Sequence, residues 1–423
     1  MLGARSLGLL ALAALACACS LEGFAGGGGA GGAAAAGGSA GGGAGGHGGG
    51  SSGGGGQGAS GGCPACACGP WSEIQVSSGG PAIAPSLARA GSAWAIAWQD
   101  ARDANQEIYF ARVDDAGLLL GTELRVTNDP AESLAPALVW TGSEHAIAYE
   151  DTRTGNSAAY LSSVDAAGQA LVLDLEVWKG SGAPKEAVVG WDGAGSRYVL
   201  AWDDFRDSGY KIHTGVVSAA GTVTATDQRI TDAIGAATAP AIVRGSQAYG
   251  LTWQDSRDGN NEIYFVLIDD AGVKIGSELP LSQAAGDSLG PAVSYTGNGF
   301  GVAWSDARDG NAEIYLARLT QGGAKLGSEQ RLTNDGASSS AVSIAWDGSA
   351  YALAWQDDRG GQSAIYFARV DAEGVFLGPE ARIAGGSGAA ERPSLAWSGQ
   401  AFGVSWQEVR DGQTGIYFAT CAP

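Results

Sequence analysis

Carboxylate and guanidinium groups two residues apart recur seven times in this sequence, and they are its best-equipped groups for chemistry. The copies are Trp98-Gln-Asp100-Ala-Arg102, Tyr149-Glu-Asp151-Thr-Arg153, Trp202-Asp-Asp204-Phe-Arg206, Trp253-Gln-Asp255-Ser-Arg257, Trp304-Ser-Asp306-Ala-Arg308, Trp355-Gln-Asp357-Asp-Arg359 and Trp406-Gln-Glu408-Val-Arg410. The fifth continues as Asp306-Ala-Arg-Asp-Gly-Asn-Ala-Glu-Ile-Tyr315. Asp306, Asp309, Asn311 and Glu313 supply oxygens at the short spacing of a calcium loop. Arg308 puts a permanent positive charge among them and favours a structural turn instead. In that turn the Asp carboxylate accepts backbone N–H groups, and Arg bridges to it or to a neighbouring unit. Recurrence also favours structure, because a reactive centre rarely needs seven copies. Neither a metal nor a cofactor is expected. The three His, His47, His145 and His213, are too few and too scattered for a His metal site or His-dependent hydrolysis.

The spacing between copies is 51, 53, 51, 51, 51 and 51 residues. Repetition at such a period marks stacked supersecondary units. Each unit carries four strand signals of period two. Strand A reads like Pro136-Ala-Leu-Val-Trp140, strand B like Phe300-Gly-Val-Ala-Trp304, strand C like Glu313-Ile-Tyr-Leu-Ala-Arg318 and strand D like Glu329-Gln-Arg-Leu-Thr333. Strand B is bulky on one face (Trp94, Ile96, Trp98) and small on the other (Ala95, Ala97). A bulky face packed on the next unit's small face fills space without voids. Repeated around an axis, this predicts an all-β, seven-bladed β-propeller of four-stranded blades. The last unit lacks strand D, and an orphan strand, Glu73-Ile-Gln-Val-Ser77, precedes the first. That orphan is expected to complete the last blade and to leave no open edge.

The segment Asp306–Tyr315 resembles the TolB-type, WD-repeat-like propeller unit, in which Arg-Asp-Gly is followed by Ile-Tyr at the step from strand B to strand C. The resemblance covers residues 71–421 and is clearest in the first, fourth, fifth and sixth units. It implies the propeller fold and a surface for protein partners. The layout also looks like the tethered propellers of Gly-rich bacterial surface lipoproteins.

Two other readings compete with a protein-binding or structural module. One is a sialidase-like glycosidase with central Arg and carboxylates, but the Ser-x-Asp-x-Gly-x-x-Trp box is not matched. The departures from the repeat (His213, Tyr149, Lys211 and Glu408) are scattered over three blades rather than gathered at one place. The other is a lectin using Trp140, Trp191, Trp346 and Trp397 near the A–B turns; the alternative for these rings is packing between blades. A non-enzymatic, monomeric binding module is expected, with a protein or glycan ligand.

The chain begins as an export signal, Arg5 followed by the apolar run 7–16. Small residues precede Cys17 and Cys19 as in a bacterial lipobox, so one of these cysteines, Cys19 first, is expected to carry a lipid. The domains are then 1–19 signal, 20–62 linker and 63–423 propeller. The linker region holds 24 of the 71 Gly, those between Gly23 and Gly62, and is too poor in apolar residues to fold. As a coil of about 40 residues it would span roughly 35 Å. Such a tether places the protein at the bacterial envelope, as an outer-membrane or cell-surface lipoprotein. Membrane contact is expected through the anchor alone. The net charge of -20 argues against nucleic acid and anionic lipid as partners.

Export favours disulfides. Cys63, Cys66, Cys68 and Cys421 remain after processing at Cys19. A C–D turn at Asp115-Ala116 would set Val113 opposite Leu118. Repeat alignment puts Cys421 at the Val113 position and Cys68 at the Leu118 position. A Cys68–Cys421 disulfide is therefore expected to replace the missing turn of the last blade, with Cys63 and Cys66 pairing locally; Cys66 in place of Cys68 ranks second, at the cost of register.

Overall fold

The computed structural model describes residues 68–178, 182–206, 209–386 and 388–422. The signal, the linker, Cys17, Cys19, Cys63 and Cys66 lie outside them. Strand A, the inner strand, is Ala82–Ala90 in the first blade, then Ser133–Trp140, Pro184–Asp192, Ala237–Arg244, Ser288–Tyr295, Ser339–Trp346 and Ala390–Trp397. Each leads outward through B and C to D in an antiparallel four-stranded sheet, seven sheets in all. Strand A of each blade touches strand A of the next, and the seventh touches the first, so the ring is closed.

The bulky-on-small seam is visible atom by atom. Trp94 of blade one lies 5.6 Å from Phe418 of blade seven, ring to ring. A Cβ on Gly403, on blade seven's small face, would sit 2.6 Å from the Trp94 ring. A Cβ on Gly301 of blade five would sit 2.3 Å from the Tyr351 ring of blade six. Seven hydrophobic clusters result, one at each seam.

The ring closes with the N-terminal strand Ser72–Gln75, which pairs with Gln413–Cys421 as strand D of the last blade. Ile74 lies opposite Phe418, and Val76 N–H donates to the Ile416 carbonyl at 2.8 Å. Cys68 and Cys421 form a disulfide with their Cα atoms 5.7 Å apart. The register behind that pairing differs by one residue from the sequence expectation, because Val113 faces Leu119 rather than Leu118. The C–D turn holds three residues, Asp115, Ala116 and Gly117, between Asp114 and Leu118. Asp114 N–H donates to the Leu118 carbonyl, Asp114 Oδ1 accepts from Ala116 and Leu118 N–H, and Gly117 takes φ 80°. A left-handed third residue is the glycine position of such a loop. The cysteines are thus offset by one from direct opposition yet remain within disulfide reach.

Two stability outcomes are expected. Gly301→Ala should lower the unfolding free energy from urea titration by about 1–3 kcal/mol, since its Cβ would meet the buried Tyr351 ring at 2.3 Å and force a shift. Gly336→Ala, where nothing lies within 4 Å, should leave it unchanged. Cys421→Ser should lower stability by up to roughly 5 kcal/mol on the loop-entropy model, given a separation of 353 residues. Reduced wild-type protein should then unfold with the variant; a midpoint equal to that of oxidised wild type would refute the clasp.

Candidate functional site

The seven Asp/Glu–Arg pairs form a clamp within each blade. In the first, Asp100 is fully buried and accepts from Trp98 Nε1 at 3.0 Å, Arg102 N–H at 2.9 Å and Arg102 Nη2 at 2.5 Å. Arg102 Nη1 reaches Glu123 at strand D at 2.5 Å, and the guanidinium lies over the Tyr109 ring at 4.2 Å. The same reach to strand D recurs as Arg153–Asp174 (2.8 Å), Arg206–Asp227 (2.6 Å), Arg257–Glu278 (2.5 Å), Arg308–Glu329 (3.4 Å), Arg359–Glu380 (2.5 Å) and Arg410–Glu73 (2.5 Å). Arg therefore spans its own blade, from the B–C loop to the outer strand, and in places also touches the preceding unit, as Arg359 does at Asp335 (3.0 Å) and Arg206 at the Trp178 ring (4.3 Å). Arg410–Glu73 joins the first and last strands of the propeller.

The calcium-loop residues do not converge. Asp306 accepts from Trp304 and Arg308, Asp309 from the Tyr315 hydroxyl, and Asn311 Nδ2 donates to Glu313 at 2.9 Å. Arg331 lies 3.1 Å from Asp309 and 2.9 Å from Glu313. Among the described residues no three His, Cys, Asp or Glu stand in a metal-ligating group.

The scattered departures are also structural. Tyr149 donates to Asp174 at 2.8 Å, Lys211 to the Gly235 carbonyl at 2.6 Å, and Glu408 accepts from Trp406 at 2.9 Å. His213 Nδ1 lies 2.8 Å from Asp227, and Trp178 takes the place of the missing Tyr over Arg206 at 4.3 Å. His145 is buried between Phe110 and Trp140 and is pushed down to about 4, chiefly by burial. His47 lies outside the described residues. Trp140, Trp191, Trp346 and Trp397 are half-buried, each against a strand B ring (His145, Tyr198, Tyr351 and Phe402) at 4.4–4.7 Å. Trp191, Trp346 and Trp397 also pack onto the seam clusters, and Trp140 stacks on His145 within its own blade.

The cavity lies on the axis. Strand A of every blade lines it, and its volume is about 380 Å³. At one position each inner strand turns left-handed and shifts register against strand B. The residues are Ala84, Ala135, Glu186, Ala239, Gly290, Ala341 and Arg392, with φ between 49° and 59°. Five are small, while Glu186 and Arg392 place opposite charges on the channel wall. Behind that wall a strand B side chain stitches blade to blade. Gln99, Gln254 and Gln407 accept from the N–H of Ala135, Gly290 and Ala84 of the following blade. Blades two and three carry Glu150 and Asp203 there instead. The Ala239 N–H, due to Asp203 by position, donates to Glu186.

Asp203 is 3% exposed, and its Oδ1 has no hydrogen-bond partner. Burial first, then Glu186 and Glu150, push its carboxyl up to about 8, with Lys185 opposing. Burial likewise raises Glu150 and Glu186, the latter against the pull of Arg392. Glu150 and Asp203 stand inside the aligned motif, directly after Tyr149 and Trp202, whereas Glu186 and Arg392 lie outside it. The residue before Pro85, Pro136, Pro240, Pro291 and Pro393 is Ala or Gly except at Arg392, and Glu186 holds the same place before Ala187.

No protein-family model and no curated protein matches the sequence. Solved structures do. The polysaccharide lyase Uly1 is similar with a TM-score of 0.54 and 8% identity over 80% of this chain and 90% of that one. The acylaminoacyl peptidase of Pyrococcus horikoshii is similar with a TM-score of 0.48 and 11% identity over 79% of this chain and 52% of that one. TolB from Acinetobacter baumannii gives 0.41 and 15% over 80% and 79%. This chain spans about half the length of the peptidase. At such identities the likeness is one of fold.

Asp203 gives a pH signature. Its raised folded pKa means the folded state keeps a proton that the unfolded chain releases. Its contribution to stability is full below the usual Asp range and is lost as pH rises through about 8. Asp203→Asn should match wild type in melting temperature near pH 4 and exceed it increasingly up to pH 8. A constant difference across that range would refute the assignment.

Proposed function

We propose that this protein is a non-enzymatic binding module, exported by residues 1–19 and lipid-anchored through Cys19 or Cys17 at the bacterial envelope. Residues 20–62 act as the tether, and a protein partner is the ligand favoured over a glycan. The observation that carries the binding reading is the axial channel, where two of seven equivalent positions carry opposite charges and five are small. Sevenfold packing demands only the small residue.

Cys68 lies at the C–D end of the last blade, the end that also bears the A–B turns, and the B–C and D–A loops form the opposite face. The non-enzymatic reading draws on the clamps. Six of the seven motif Arg side chains reach their partner acids at strand D at 2.5–2.8 Å and the seventh at 3.4 Å, out from the axis where a sialidase-like centre would need them.

Metabolic labelling with an alkyne fatty acid should mark the full-length protein and be lost in Cys19→Ser or Cys17→Ser. Cross-linking of the labelled protein in intact cells, beside a glycan array, should capture a protein partner. Sialoside hydrolysis that is abolished by Arg392→Gln would overturn the non-enzymatic reading.

A further inference from the structure

The channel residues name a ligand class. We infer that the axial channel binds a small zwitterion, its ammonium group held by Glu186 with Asp203 behind it and its carboxylate held by Arg392. The inference rests on the reading of the axial channel as a binding site and adds a small ligand there to the protein partner proposed for the module.

Three observations lead there. The first is placement. Glu186 and Arg392 occupy equivalent left-handed positions in blades three and seven, so both side chains arise from the wall of the same cavity. Both are exposed to it. Left-handed backbone disfavours any residue with a Cβ, and side chains longer than Ala gain nothing from the seam there.

The second is their lack of mutual satisfaction. Glu186 feels the charge of Arg392, yet no ion pair joins them. Among the described residues the Arg392 guanidinium has no hydrogen-bond or ion-pair partner. Five N–H donors in a planar fork are thus presented to the channel, a geometry that suits a carboxylate. The two charges are apart, and a molecule carrying the complementary pair fits between them.

The third is Asp203, more than nine-tenths buried with an unpartnered Oδ1. The Gln residues at its position reach the channel strand of the next blade. Asp203 occupies the same post, beside Glu186 and cross-strand from Lys185. A buried oxygen without a donor is costly, and an ammonium bound at Glu186 would supply one. The charges around this end are Glu150, Asp151, Lys185, Glu186 and Asp203, with Arg392 opposite. Asp151 is held by Arg153, which leaves Glu150, Glu186 and Asp203 against Lys185 at this end, a balance that favours an ammonium, and Glu391 beside Arg392 accepts from the Gln407 amide. The opening suits a compact ligand rather than a folded domain, since five of the seven wall residues are Ala or Gly and leave about 380 Å³.

The test is calorimetric titration of full-length protein with glycine, β-alanine, 4-aminobutyrate, diglycine and triglycine, which step the ammonium–carboxylate separation. Ethylamine and acetate are the single-charge controls. At least one zwitterion should bind, and the controls should bind about tenfold more weakly or not at all, since each lacks one charge-assisted contact. Glu186→Gln and Arg392→Gln should each weaken the zwitterion by about tenfold or more. Melting of unliganded Arg392→Gln should stay unchanged, and that of Glu186→Gln should not fall, because Gln keeps an oxygen for the Ala239 N–H, removes a like charge beside Asp203 and fills no seam. Binding near pH 7 should release protons, seen as a dependence of the heat on buffer ionisation enthalpy, and Asp203→Asn should abolish that release. Silence of the whole series, equal binding by ethylamine or acetate, or binding indifferent to both Gln variants overturns the inference. If cross-linking in cells still captures a partner while the series is silent, the zwitterion site fails and the binding-module reading stands.

Discussion

A flat aromatic ring can lie against a β-sheet only where the facing side chain is nearly absent. Every joint of this protein depends on that constraint. Gly403 faces Trp94, Gly301 faces Tyr351 and Gly250 faces Phe300, each too close for a methyl group. The bulky side of one blade and the small side of its neighbour must therefore alternate without a break. Because each blade has one face of each kind, the pattern can end only by meeting itself. The seventh blade meets the first, and Trp94 fills the space over Gly403 as any interior ring does.

Closure then falls on the one blade that the chain does not complete in a single pass. Three interactions of different kinds meet there. The backbone of Ser72–Gln75 pairs with the last strand, the Arg410–Glu73 ion pair spans strands B to D, and the Cys68–Cys421 bond stands near the absent C–D turn. Arg410–Glu73 is the same clamp that every blade uses within one run of sequence. In the last blade it becomes a long-range contact with no change of chemistry. A buried Asp or Glu fixed by an indole N–H, a backbone N–H and Arg is well satisfied, and the Arg stacked on Tyr keeps its plane aimed at strand D. Those groups serve the loop's geometry in all seven places.

Much of this was legible in the residues. The 51-residue spacing shows the blade count, and the small residues opposite Trp94 and Phe300 show the seams. The orphan strand at Glu73 and the two end cysteines show the closure. The C–D register was misread by one because Asp115-Ala116 looks like a two-residue turn. Asp114 instead caps the loop with its own side chain, and Gly117 supplies a third residue. The Arg partner was not legible either, since the acid at strand D lies 21 residues along and appears as Glu or Asp in an otherwise variable stretch. The channel group escaped for a different reason. A repeat alignment displays departures along the chain, but it does not say which of them look onto the same axis. Glu186 and Arg392 are 206 positions apart in number and come to line one channel only when the ring closes.

The axis is where a symmetric ring has least need of particular side chains. The seams are built by strands B and C and the clamps by the loops and strand D, so the inner strand has only to curve. It does so with one left-handed residue per blade, for which Gly or Ala is the least strained choice available to the repeat. Glu150 and Asp203 surrender the Gln stitch to the next blade, and Glu186 takes over one lost contact at the Ala239 N–H while leaving Asp203 Oδ1 without a donor. The cost of an unpaired buried oxygen and of like charges held together lies in blades two and three, and the opposing Arg392 stands in blade seven. Sevenfold packing explains neither. An uneven distribution of charge around an otherwise uniform channel gives that channel a direction across its width, and a dipolar ligand is the simplest object that direction can select.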